Sequence, residues 1–114
     1  MTPELDAEDA KLVTLARASR ARTGARQGAA VRDLDGRTYA AATVALDALA
    51  VDALDLAVAM AVSSGAKGLE AGAVVAEAEQ LETVSLEALT ELAGADRPVY
   101  TAGPDGTVTS VRHS

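Results

Sequence analysis

Apart from its carboxylates, this sequence has few side chains suited to nucleophilic or acid–base work. There is one imidazole, His113, and no thiol at all. A Ser-His-Asp arrangement would have to recruit His113, so it has little to build on. Soft-metal sites lose their usual thiolate donors, and no disulfide framework can form. Gly103-Pro104-Asp105-Gly106 reads as a turn, because no helix and no Lys follow it as a phosphate loop requires. Ser63-Ser64-Gly65 reads as a helix C-terminus, and Thr83 and Ser85 as caps at a helix start. His113 is expected in a frayed tail.

The charge is lopsided. The chain has 114 residues and a net charge of -7. Seven of its ten basic residues fall between Lys11 and Arg37, whereas from Thr38 to Asp96 only Lys67 opposes ten acids. An acidic chain is a poor non-specific binder of nucleic acid, so none is expected as a partner. The basic stretch reads as a solvated helix end. Neither a basic, apolar leader nor an uncharged span of membrane length is present, which leaves the cytoplasm as the expected location and no membrane partner.

The elements that must hold any site follow from periodicity and punctuation. Thr2-Pro3-Glu4 reads as the start of a helix that Gly24 ends. Gly28 to Asp33 and Arg37 to Val44 form two strands joined at Asp35-Gly36. Asp47 to Ser64 is a helix apolar nearly all round, hence central or shared between subunits. Leu69 to Glu77 is a central strand, Thr83 to Ala93 a helix, and Pro98 to Ala102 and Thr107 to Val111 two further strands. The order α-β-β-α-β-α-β-β implies one domain over 1–114, with crossover helices on a mixed five-stranded sheet. At this length folding buries roughly two-thirds of the unfolded surface. The core is made largely of Ala, 27 residues, with no Phe or Trp. Such small side chains bury little area, so self-association is expected.

The order and spacing of several short segments resemble the small homotetrameric cytidine deaminases. Gly28-Ala29-Ala30-Val31 with Asp35-Gly36-Arg37-Thr38-Tyr39 is similar to that family's first hairpin. Ala61-Val62-Ser63-Ser64-Gly65-Ala66 is similar to the end of its zinc-binding helix, and Val74-Val75-Ala76 to its third strand. Arg97-Pro98-Val99-Tyr100 and Gly103-Pro104-Asp105-Gly106 are similar to its fourth strand and the turn beyond. The resemblance implies a three-layer α-β-α fold. It also implies a zinc held by thiolates, with a Glu that carries the proton.

The same resemblance places the site's residues and shows them replaced. The family's Cys-Ala-Glu falls on Asp52-Ala53-Leu54, and its Pro-Cys-x-x-Cys on Leu81-Glu82-Thr83-Val84-Ser85. Asp52, Glu82 and Ser85 thus stand at the ligand positions and Leu54 at the proton-carrying position. The ribose-holding pair falls on Thr43 and Ala45, and the aromatic near the base on Ala25. Two carboxylates and a hydroxyl cannot replace three thiolates for zinc, and Leu54 cannot transfer a proton. Asp52 and Glu82 could instead lie together as a hard-oxygen pair for Mg²⁺ or Ca²⁺, or rest on helix N-terminal amides; the second is the simpler expectation. The resemblance therefore implies a degenerate member: no metal or other cofactor, no catalytic residue, and a structural or regulatory module acting as a homodimer or homotetramer. A non-catalytic nucleoside or nucleotide binder is the alternative, and a hydrolase of altered, non-zinc chemistry a third.

Overall fold

The computed structural model describes residues 5–114. The expected helix start at Thr2-Pro3-Glu4 lies outside them. Helix α1 spans Ala7–Thr23; the Asp6 carboxylate caps it by accepting the Asp9 N–H, and Gly24 ends it at φ 65°. Strands β1 (Gln27–Asp33) and β2 (Thr38–Ala42) form the expected hairpin, in which Ala30 faces Ala40 and Val31 faces Tyr39. The Asp33 carboxylate ties the turn by accepting N–H groups of Asp35 and Arg37, at 2.9 and 3.0 Å, and the Tyr39 hydroxyl at 2.8 Å.

The long helix expected from Asp47 divides. Val44–Ala45 (β3) and Ala50–Val51 (β4) make a small hairpin, and helix α2 runs only over Ala53–Ser63. The sequence pattern misled because the Ala and Leu residues between 45 and 50 suit a helix by propensity, while the Leu46 N–H closes a turn onto the Leu49 carbonyl at 2.8 Å. As expected, α2 is apolar nearly all round, with Asp55 its one charge, but it is not buried all round in the single chain: Ala53, Leu54, Ala57, Val58 and Ala61 are buried, while Met60 and Val62 are 38 % and 54 % exposed.

Strand β5 (Leu69–Ala76) is central as expected. A short helix α3 (Ala78–Leu81) follows β5, and the helix expected over Thr83–Ala93 forms only over its second part, as α4 (Glu87–Ala93). Thr83 does not cap a helix start; its hydroxyl donates to the Gln80 carbonyl at the end of α3, 2.8 Å away. Strands β6 (Pro98–Ala102) and β7 (Val108–His113) close the sheet. His113 is no frayed tail, since it pairs opposite Pro98.

The five strands run in the order β2-β1-β5-β6-β7, with β5 and β6 parallel and the other pairs antiparallel, so the sheet is mixed as expected. Side chains alternate across it. On one face Ala30, Ala73, Val75 and Tyr100 meet Leu12, Val13 and Ala16 of α1. On the other, Ala29, Val31, Val74 and Val99 meet α2 together with Val84 and Leu89. The result is the expected three-layer α-β-α architecture.

Two features seat α1. A side chain on Gly28 would place its Cβ 2.0 Å from the Ala16 carbonyl oxygen and 2.9 Å from the Arg20 backbone nitrogen. At its other end the buried Asp9 carboxylate accepts the Tyr100 hydroxyl and pairs with Arg32 at 2.9 Å, and Arg32 reaches on to Glu70 at 2.7 Å. Burial, and then the neighbouring Asp9 carboxylate, push the Tyr100 phenol up to about 12. Gly28→Ala is expected to destabilise the fold by about 3 kcal/mol, because neither backbone can yield. Urea unfolding checks this: the midpoint falls sharply while the slope stays constant. Tyr100→Phe leaves the buried carboxylate short of a donor and should cost about 2 kcal/mol by the same measurement.

Candidate functional site

The N-terminal end of α2 carries the richest polar group on the helical face opposite α1. Asp52 is the N-cap, with extended backbone at φ -67° and ψ 150°, yet its carboxylate caps no amide. The expectation that helix amides hold it is thus corrected. Beside it the β3–β4 hairpin folds over, and Thr43 is tied to the start of β1. The Thr43 N–H donates to the Gln27 carbonyl at 3.1 Å, and its hydroxyl accepts the Gln27 N–H at 3.1 Å. Together these elements wall a cleft of about 360 Å³, bordered by Arg26, Thr43, Ala45, Val51, Asp52 and Asp55. Ala25 precedes it and is half-buried. Leu46 and Leu49, on the hairpin tip, are exposed.

Asp55 is electrostatically uncomfortable. Burial raises its carboxyl above the usual carboxylate range, and the charges of Asp52 and Glu87 push it further. An acid raised in the fold costs stability at neutral pH; the cost vanishes as pH falls through its folded value towards the unfolded one.

Leu54 points the other way. It is 2 % exposed and belongs to the core with Ala57, Val58, Val84 and Leu89, against which Leu81 and Leu86 pack. The space between the start of α2 and the segment 81–86 is therefore occupied by hydrocarbon. Glu82 ends α3 rather than preceding the next helix, so no helix N-terminus holds it. It borders a different cleft, of about 290 Å³, with Thr101, Ser110 and Arg112. Ser85 is exposed and accepts the Glu87 N–H at 3.2 Å. The structure thus gathers Thr43, Ala45 and Asp52 around one cleft, with Glu82 in another. The hard-oxygen pairing of Asp52 with Glu82 finds no support. Among the described residues no three His, Asp or Glu side chains are placed to hold a metal ion.

Sequence reasoning missed Arg26 and Asp55 as cleft residues. Asp55 lies three residues beyond Asp52, on the same helical face, and that spacing could have flagged it. The Asp9–Tyr100 pair, 91 residues apart, left no local signal.

A family model for cytidine deaminase-like proteins matches residues 5–106. The chain belongs to the cytidine deaminase-like family. Among solved structures, its fold is similar to a cytidine deaminase from Burkholderia pseudomallei, at 22 % identity and TM-score 0.73, over 91 % of this chain and 89 % of that one. It is also similar to the cytidine deaminase from Mycobacterium leprae, at 20 % identity and TM-score 0.64, over 90 % of each chain. No curated protein matches the chain. Within a family whose chemistry is described by a zinc-activated water and a Glu that moves protons, this chain's residues do not fit the metal. It has no Cys, and the carboxylates offered in their place border different clefts. No helix among the described residues is long and apolar enough to cross a membrane.

Replacing Asp55 by Asn should raise the melting temperature at pH 7. The gain should shrink as pH is lowered and disappear below the ordinary Asp range near 3.8. Calorimetry from pH 7 down to pH 3 reads both limbs.

Proposed function

We propose that this chain is a catalytically silent member of the cytidine deaminase-like family, working as a self-associating structural or regulatory module. The observation that carries the reading is Leu54. At the position the sequence resemblance gives to the proton-carrying Glu, the chain holds an apolar side chain packed among Val84, Leu89 and Val58. The ligand positions at Asp52, Glu82 and Ser85 likewise hold no thiolate, so both the metal and the proton relay lack their chemical groups. A change of one position would leave residual chemistry. Loss of the relay together with all three ligands leaves none of the family's kind.

Self-association is supported by the outward side of α2. Tyr39, Leu56, Ala59 and Met60 border a shallow depression that carries no charged side chain. Covering it would add apolar burial that the alanine core does not supply. A homodimer or homotetramer built on this face fits both observations.

A second reading, a nucleoside binder without catalysis, is favoured by the cleft at Thr43, Ala45 and Asp52. Its volume of about 360 Å³ falls in the range of small-molecule sites.

The silent-module reading expects no ammonia release from cytidine or deoxycytidine above a protein-free blank, with or without added zinc. Sustained turnover by the purified chain overturns it. A clear thermal shift with nucleosides, without turnover, would move the conclusion to the second reading. Multi-angle light scattering at micromolar concentration should give a multiple of the 11.5 kDa chain mass, and Met60→Asp should return a folded monomer. A monomeric parent chain would overturn self-association.

A further inference from the structure

A second groove, between α2 and α4, differs in character from the uncharged depression at Met60. It has a volume of about 330 Å³ and is bordered by Val58, Val62, Ala88, Glu91 and Leu92. Two helical stripes build it. On α2, Asp55, Val58 and Val62 follow at i, i+3 and i+7, and so share a face. On α4, Ala88 and Leu92 form one i, i+4 pair, and Glu87 and Glu91 form the adjacent one. The groove therefore has an apolar floor that surfaces at Val62, which is 54 % exposed, with Glu91 on its border and Glu87 and Asp55 on neighbouring helix positions beyond it. Those acids are close enough for Glu87 and Asp52 to disturb the Asp55 carboxyl.

Nothing in the molecule's ion pairing offsets them. Among the described residues the ion pairs are those of Arg32, with Asp9 and Glu70, on the far side of the sheet. Arg26 borders the cleft on the other flank of Asp55 without pairing to it. The imbalance extends along the chain, since Lys67 is the one base among ten acids between Asp47 and Asp96.

These features select the occupant. Two copies meeting symmetrically through this groove would bring two acidic patches together with no cation between them, which is repulsive. Nucleic acid is repelled by the same rim. A helix with an apolar stripe flanked by Lys and Arg satisfies both floor and rim, in the familiar mode of an amphipathic helix laid in a groove. We propose that the α2–α4 groove docks a basic amphipathic helix of a partner protein. The apolar stripe sits on Val62, Ala88 and Leu92, and the partner's cations meet Asp55, Glu87 and Glu91. The length of α2, 11 residues, limits the engaged partner segment to about three turns. The inference stands whether or not the chain has any catalytic activity.

The test uses a fluorescein-labelled synthetic peptide of Leu and Lys in helical amphipathic order, about four turns long, titrated with the full chain and read by anisotropy. Saturable binding is expected, weaker at high salt, and absent for the same peptide with Glu in place of Lys. Val62→Asp, at an exposed position that does not endanger the fold, should weaken binding about tenfold or more. Glu87→Gln combined with Glu91→Gln should weaken it similarly and flatten its salt dependence. Glu77→Gln combined with Glu79→Gln, which removes the same charge elsewhere, should leave it unchanged. Equal losses from the two double variants would mean bulk attraction without a docking site, and would overturn the proposal. So would failure to bind the basic peptide, preferential binding of an RNA oligonucleotide, or conversion of an oligomer to monomer by Val62→Asp, which would give the groove to a second copy.

Discussion

Helix α1 can approach the sheet as closely as it does only because position 28 carries no side chain. The Ala16 carbonyl occupies the place a Cβ would take, so helix and strand meet backbone to backbone. This close seat aligns everything beyond it. It puts Leu12 and Ala16 on Ala30 and Ala73, and it carries Asp9 to the Tyr100 hydroxyl and the Arg32 guanidinium. The polar node is then the complement of the glycine contact. One fixes the separation of the layers; the other fixes the rotation and register of the helix, since a buried carboxylate tolerates no position in which its partners are missing.

On the opposite face, the same economy of small side chains has another outcome. In family terms, the start of α2 and the segment ahead of α4 are where metal and proton chemistry would reside. Here Leu54, Val84 and Leu89 knit those two segments into the core. Polar groups are displaced outward, to the cleft around Asp52 and Asp55 and to the rim of α4. Catalytic machinery is held in place at some cost to stability, whereas the hydrocarbon at Leu54 adds to the packing of the core.

Much of the frame was legible in the sequence. Gly24, the Asp35-Gly36 turn and the Pro98–Ala102 strand announce themselves through residues whose backbone or pattern requirements are strict. The order of strands and helices followed, and with it the family resemblance. What failed was local. Residues 45–51 have helical propensity but pair as a hairpin, because tertiary position outweighs propensity in a segment of that size. The helix expected from Thr83 starts only at Glu87, because Val84 ahead of it turns its side chain into the core. At the site, the family resemblance could set Leu54 at the proton-carrying position, whereas the separation of Glu82 from Asp52 could not be read. That distance depends on where α3 ends, and no spacing rule encodes it. The Asp9–Tyr100 contact was equally hidden, because its partners meet only after the five strands between them in sequence have been ordered.

The alanine interior has a consequence for how such a sequence can drift. Alanine has no rotamers to freeze, so its burial costs almost no side-chain entropy, and it also leaves almost nothing to truncate. The usual core lesion, a large residue cut to a small one, is confined to the Leu, Val and Tyr positions between the alanines, such as Leu12, Leu69 and Leu89. The common lesion here is the reverse: nearly any substitution at Ala29, Ala30, Ala57, Ala61 or Ala73 adds atoms to a site with no room. The tolerated spectrum of change is thus asymmetric. At those alanine positions this chain is held at the smallest side chain that still has a Cβ.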